Sequence, residues 1–234
     1  MLAPMPGAPL VDVLARMPLF ADLSADDLSA LTEALNRGTA RRGDTLFHEG
    51  EEGDTLYLIL DGKVKITRAA ADGRENLLAV LGPGEVFGEL SLFDPGPRTA
   101  SATVISHLDY AAMPHTRLKP WLSRRPEAAE LLLRVLARRL RRTNTALADM
   151  VFVDVPGRVA KTLLELSERF SSPVAEGIVR VEHGLTQEEL AQHVGASRET
   201  VNKALADFVG RGWLRLESRA VVILDRERLV RRAR

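Results

Sequence analysis

The fifteen residues from Phe87 to Ser101, FGELSLFDPGPRTAS, carry the side chains of this chain best suited to holding an anion. Gly88 has no side chain, so backbone N–H groups at the start of a helical turn can approach a negative charge there. Arg98 supplies a planar guanidinium fork that matches a phosphate, and the Thr99 hydroxyl adds a donor. Glu89 is out of place beside a phosphate unless it accepts a hydroxyl from an attached sugar. Taken alone, these residues are equally a surface Arg–Glu pair, so their meaning depends on what surrounds them.

A second constellation runs from Leu185 to Leu205, LTQEELAQHVGASRETVNKAL. Thr186 is placed to cap a helix, with Glu189 three residues on completing a capping box. Leu190, Ala191 and Val194 share the inward face of that helix. Gly195 stands where a tight turn between two helices needs a left-handed residue. Ser197 then caps a second helix, with Thr200 three residues later. At roughly 100° per residue, Arg198, Glu199, Asn202 and Lys203 spread over one side of it, and Val201, Ala204, Leu205 and Phe208 occupy the other. Such a helix can bury one face and present the other to a DNA major groove. Arginine can pair bidentately with guanine, glutamate can accept from cytosine, and lysine or the Ser197 hydroxyl can hold phosphates. A solvated charged face on a helical hairpin would look similar. The next segment separates the two: Trp213–Glu217 and Ala220–Leu224 read as strands around a Glu217-Ser218-Arg219 turn, which makes a wing.

The elements that must position these residues fall into an α+β arrangement. Residues 18–36 form a short helical opening, with Ser24 and Asp27 spaced as a cap before Leu28, Leu31 and Leu35. From Gly38 to Pro114, short runs of Val, Ile, Leu, Thr and Tyr alternate with glycine turns at Gly43, Gly53, Gly62, Gly73 and Gly82. That spacing marks an antiparallel β-roll of jelly-roll type, with Asp61-Gly62 as a hairpin signal. Strand texture stops at Pro114, and Pro126 opens a long helix to about Val151. Along it Leu133, Leu136, Leu140, Thr143, Leu147 and Met150 recur at alternating steps of three and four, the seam of a two-stranded coiled coil. The same stripe could instead pack on the β-roll. An arginine-rich opposite face (Arg134, Arg138, Arg141, Arg142) and the polar break at Thr143 favour a partner helix. Asp154 and Pro156 start another helix, which makes Phe152–Asp154 a hinge; Ile178–Val181 reads as a short strand. The expected domains are therefore a disordered leader (1–17), the β-roll (18–126), a dimerisation helix (127–151) and a winged helix-turn-helix (152–234).

Composition narrows the function classes. The 234 residues suffice for two modest domains, with ordinary apolar (45%) and charged (27%) fractions. Cysteine is absent, which excludes disulfides, thiolate catalysis and Cys-ligated metal centres. The proline-rich start from Met1 to Pro9 lacks the pattern of a signal peptide, and no stretch has the length of a membrane span, so a cytoplasmic protein without membrane contact is expected. Net charge is zero, so any positive surface for nucleic acid must be placed locally. No nucleophile–base pair or carboxylate dyad stands out, and no enzymatic activity is expected. The five histidines (His48, His107, His115, His183, His193) are scattered, which disfavours a cupin-type metalloenzyme and leaves no metal site expected.

At this point the sequence resembles the cAMP receptor protein family of bacterial regulators, from about Pro18 to the wing. The carriers are VGASRETVNKAL and the Phe87–Ser101 string. The resemblance implies cAMP as allosteric ligand, with Gly88, Glu89, Arg98 and Thr99 on the ribose phosphate and Glu89 on the ribose 2′-OH. It places Thr143 against adenine, Asn144 of the partner subunit near the same ligand, and Arg139 on the phosphate or on Glu89. It also implies a homodimer on palindromic double-stranded DNA. Arg198, Glu199 and Lys203 would then reach base edges, Ser197 and Thr200 phosphates, and Thr186 and Asn202 would border them. Asn202 replaces a smaller residue of the best-known member, which bears on site sequence. Contact with RNA polymerase is expected from the resemblance alone. A haem or iron–sulfur sensor is disfavoured by the missing thiolates; a ligand-independent regulator and a nucleotide-binding module without DNA activity are the other readings.

Overall fold

The computed structural model describes residues 8–70, 73, 75–94, 96–123 and 126–234. The chain divides into two units, one comprising Met1–Ala69 with Ala79–Leu140 and the other Ala70–Leu78 with Arg141–Arg234.

The first unit opens on α1 (Leu10–Ala15), a 3-10 turn (Pro18–Phe20) and α2 (Ala25–Ala34), where the Ser24 hydroxyl accepts from the Asp27 amide as its spacing predicts. The leader expectation is corrected here. Val13 and Leu14 of α1 are buried, so residues 10–17 are ordered by their own apolar contacts; residues 1–7 of that expected leader lie outside the described residues.

The next strands are β1 (Asn36–Ala40), β2 (Thr45–Phe47), β3 (Thr55–Asp61), β4 (Val64–Ala69), β5 (Glu75–Leu81), β6 (Val86–Phe87), β7 (Ser101–Val104) and β8 (Leu108–Pro114), with α3 (Leu90–Phe93) between β6 and β7. They form two sheets, in the orders β1-β8-β3-β6 and β2-β7-β4-β5. Asp61-Gly62 does not close a hairpin. β3 pairs with β8, while β4 pairs with β7, so β3–β4 and β7–β8 make one long ribbon that bends from sheet to sheet at this point. Gly62 sits at φ +91 with the His107 carbonyl where a Cβ would stand, and Ile105 donates to the Lys63 carbonyl at 3.0 Å across the bend. The glycine marks a corner because two backbones cross there, a demand set by the distant His107 rather than by the near neighbours of a hairpin turn.

Strand alternation then divides the core. Leu56, Leu58 and Leu60 of β3 face a helical layer of Leu14, Phe20, Leu31, Trp121 and Leu131, while Ile59 faces Phe47, Phe87, Val104 and Leu108 between the sheets. Trp121 belongs to α4 (His115–Ser123), a helix that the sequence pattern did not reveal because its single Leu–Trp face is interrupted by Pro120.

α5 (Pro126–Phe152) is one continuous helix with two apolar faces. Ala128, Leu131 and Leu132 are buried in the helical layer. Most heptad residues are not: within the first unit Leu133 is 65% and Leu140 62% exposed with Leu136 half-buried, and within the second Leu147 is 58% and Met150 51% exposed.

In the second unit, Asp154 caps α6 (Val155–Phe170) by accepting from the Gly157 amide at 3.0 Å. Beyond it lie β9 (Ser171–Ala175), β10 (Ile178–Val181), α7 (Gln187–Val194), α8 (Arg198–Gly210), β11 (Leu214–Glu217), β12 (Ala220–Ile223) and α9 (Arg226–Arg232). The strands form one sheet in the order β11-β12-β10-β9. Val159, Leu163, Leu190, Val201, Leu205, Phe208 and Leu229 are buried in this unit.

Candidate anion cradle and nucleic-acid interface

Two charged side chains of the first unit are buried almost completely, Glu89 at 1% and Arg98 at 4% exposure. Burying a charge is costly unless it is paired, so both positions demand an explanation. Strand β6 delivers the chain into Gly88 at φ +80, immediately before the single turn of α3. A Cβ on Gly88 would stand 2.7 Å from Arg98 Nη1 and 2.9 Å from the Thr55 carbonyl, so both the backbone angle and the space require glycine. Arg98 is held at its backbone by the 50–51 segment: Gly50 donates to its carbonyl at 2.8 Å, and its own amide donates to Glu51 at 2.7 Å. Its guanidinium donates to the Gly88 and Thr55 carbonyls at 2.8 Å each and lies 4.2 Å from the centre of the Phe47 ring. Burial pushes the Arg98 pKa below its usual value, a sign of a cation removed from water.

Glu89 is paired with Arg139 of α5, whose second nitrogen donates to the Val86 carbonyl at 2.8 Å. Of the two options open for Arg139, phosphate or Glu89, this conformation shows the carboxylate. Among the described residues, two buried atoms of the cradle have no hydrogen-bond partner: Arg98 Nε, a cationic donor, and Glu89 Oε2, an anionic acceptor. The structure thus brings Gly88, Glu89, Arg98 and Arg139 together. Thr99 is exposed beside them in sequence. Thr143 and Asn144 are exposed on α5, Thr143 one turn beyond Arg139 on the same helix face. Sequence reasoning missed Gly53, whose Cβ would collide with Ser91 and stand 3.0 Å from Arg98 Nε. Its glycine was read as a turn signal, but its φ is not positive and its role is close approach.

The second constellation folds as its spacing predicts. Thr186 and Glu189 form the reciprocal capping box, with Thr186 N–H donating to Glu189 at 2.7 Å. Gly195 ends α7 at φ 71 and ψ 45, the left-handed region. The Ser197 hydroxyl accepts from the Thr200 amide at 3.2 Å and starts α8. Val201, Ala204, Leu205 and Phe208 are buried; Arg198, Glu199, Thr200 and Lys203 are exposed. Lys203 pairs with Glu199 one turn earlier at 2.7 Å. Asn202 is half-buried, and its Oδ1 has no partner. Thr186, Arg198 and the wing-tip residues Ser218 and Arg219 line one cleft of about 350 Å³. Arg219 sits at φ 58 between β11 and β12 and is exposed; only its turn position, not its type, marked it in the sequence.

Arg158 ties the turn between α7 and α8 to the start of α6. Its guanidinium donates to the Val153 carbonyl at 2.8 Å, to Val194 at 3.1 Å and to Gly195 at 3.2 Å. Among the described residues, no group of three His, Asp or Glu side chains could hold a metal ion, and no helix is long and apolar enough to cross a membrane.

Residues 38–125 match the family described as cyclic nucleotide-binding domain, and residues 157–232 the Crp-like helix-turn-helix domain. The chain is 59% identical to the CRP-like cAMP-activated global transcriptional regulator of Mycobacterium tuberculosis, over 95% of this chain and 99% of that protein. It is 35% identical to the Cyclic AMP receptor protein of Thermus thermophilus, over 85% and 88% respectively. Among solved structures, a CRP-family transcriptional regulator from Thermus thermophilus superposes with a TM-score of 0.71 at 29% identity, over 84% of this chain and 96% of that one. The c-di-GMP responsive global regulator of Xanthomonas campestris gives 0.70 at 27% identity, over 86% and 99%.

Proposed function

The chain belongs to the CRP family of bacterial transcription regulators, and on that premise we propose that it is a homodimer whose affinity for palindromic DNA is set by cAMP. One observation carries the ligand: the cradle holds a buried cationic donor, Arg98 Nε, and a buried anionic acceptor, Glu89 Oε2, each without a partner. An unsatisfied buried polar atom costs about 1–3 kcal/mol, so the cradle favours a molecule that satisfies both. Phosphate alone serves Arg98 and repels Glu89. A sugar alone does the reverse. A ribose cyclic phosphate offers an anionic oxygen and a 2′-hydroxyl on one rigid frame, with Gly88 admitting the phosphate and Thr99 adding a donor. Arg139 stays on Glu89 and steadies its carboxylate.

Adenine as the base rests on the resemblance and on Thr143, which can face the N6 amine, with Asn144 of the partner subunit beside it. Dimerisation is supported by the uncovered heptad stripe of α5, Leu133, Leu140, Leu147 and Met150. On DNA, Arg198, Glu199 and Lys203 read base edges, Ser197 and Thr200 face phosphates, and Thr186 borders them. Asn202, with an unfilled oxygen, borders the bases. Nucleotide at the seam favours one arrangement of the paired α5 helices, and the α5–α6 junction passes it to the two α8 helices. Their spacing must suit successive major grooves, roughly 34–36 Å apart. RNA polymerase as a partner and a cytoplasmic location rest on the family alone.

The test is a DNA-shift titration on a palindromic site without nucleotide, with cAMP, and with cyclic di-GMP. Affinity should rise with cAMP only. A rise with cyclic di-GMP alone, or none with either, overturns the reading.

A further inference from the structure

The C-terminal helix ends at the carboxylate that starts α6. Asp154 divides its two oxygens: Oδ1 accepts from the Gly157 amide at 3.0 Å and caps α6, while Oδ2 lies 2.5 Å from Nη2 of Arg232, the last residue of α9. The approach is built rather than incidental. Gly157 is buried, and a Cβ there would stand 2.6 Å from Val153 Cγ1, 2.9 Å from Asp154 Oδ1 and 3.2 Å from the Arg232 carbonyl, so the end of α9 and the cap meet closely around a bare Cα. Leu229, one turn before Arg232, is fully buried and fixes the helix in place.

The other end of α9 is tied to the wing. Asp225 caps α9 through the Arg228 amide at 3.0 Å, and the Leu224 and Asp225 amides both donate to the Trp213 carbonyl, at 2.9 and 3.0 Å, where β11 begins. One short helix therefore joins the wing to the α5–α6 junction. At the same junction, Arg158 binds the Val153 carbonyl together with the carbonyls of Val194 and Gly195 between α7 and α8.

We propose that α9 is a latch: Arg232 holds Asp154 and so positions the junction through which nucleotide binding reaches the DNA-reading helices. Arg232 is a positioning residue and touches neither ligand. The pair is exposed, 31% at Arg232 and 62% at Asp154, so it adds little to stability. That suits a contact that is made and released as the junction changes. The latch presupposes the cAMP-controlled regulator proposed for this chain.

The experiment compares full-length wild type, Arg232→Ala, Arg232→Lys and Asp154→Asn, the last keeping a good capping side chain without the charge. Two readouts are taken: the cAMP-induced gain in DNA affinity, and hydrogen exchange at the Gly157 and Arg158 amides without nucleotide. Arg232→Ala and Asp154→Asn should each change the gain by about fivefold or more and speed exchange at the junction, with cAMP affinity in the absence of DNA unchanged. Their double variant should match either single one, and Arg232→Lys should recover part of the effect. A gain that stays within about twofold of wild type, equal losses with and without cAMP, or unaltered exchange overturns the latch. A wild-type chain that gains nothing from cAMP overturns the proposed function instead, and exchange then decides the latch alone.

Discussion

Arg98 and Glu89 are both almost fully buried, and the proposed ribose phosphate would bind between them. Arg98 is parked on two carbonyls, and those bonds satisfy its terminal nitrogens while Nε has no partner. Removing the guanidinium takes the anion's main counter-charge and leaves the fold's carbonyls to water. Arg98→Ala should therefore abolish measurable cAMP binding by calorimetry while far-UV circular dichroism stays native; unchanged affinity would rule out the cradle. On α8, Arg198 is exposed at the first helical position, where a side chain can reach a base edge. Arg198→Ala should cost about 1–3 kcal/mol on the specific site and relax one base position. An equal loss on every DNA sequence would make it a phosphate contact.

The helix-turn-helix owes its angle to a few backbone demands. Gly195 sits in the left-handed region, and a Cβ there would stand 3.1 Å from the Met150 methyl of α5. Gly195→Ala should destabilise the second unit by about 1 kcal/mol or more in chemical denaturation, and Gly195→Asn by less, since asparagine tolerates that conformation. Equal losses would mean that packing on Met150, not the backbone angle, sets the cost. At the head of α6, the Arg232 guanidinium holds the Asp154 carboxyl below the usual carboxylate range. A carboxyl depressed in the folded state stabilises above its unfolded pKa, and the contribution fades as pH falls through the lowered value.

For the molecule as a whole, α5 decides the outcome. A single chain leaves Leu133, Leu140, Leu147 and Met150 open to water along one stripe. Burying a leucine is worth about 1.5–3 kcal/mol, so four such positions on each of two helices give a strong drive to pair. Leu140→Glu should shift sedimentation from dimer to monomer and abolish binding to the palindrome while each unit stays folded. A variant that sediments as wild type would place the partner surface elsewhere. If the proposed function holds, ligand and DNA should also strengthen each other reciprocally, by about 1–3 kcal/mol, since both would then act on one equilibrium between arrangements of the pair.

Local chemistry was legible in the chain itself. Caps at Ser24, Asp154, Thr186 and Ser197, the left-handed Gly195 and the heptad rhythm of α5 depend on neighbours within a few residues, and each stands where its spacing put it. Features set by distant partners were not. The Asp61-Gly62 turn is a corner because a second backbone crosses it, and α1 is ordered because Val13 and Leu14 find a core built by β3, β8 and α5. α9 has one buried leucine among arginines, too little pattern to read, yet its last side chain reaches Asp154, 78 residues away. Sequence specifies what each residue can do nearby; only the closed structure decides which charges lose their water, as Glu89 and Arg98 do.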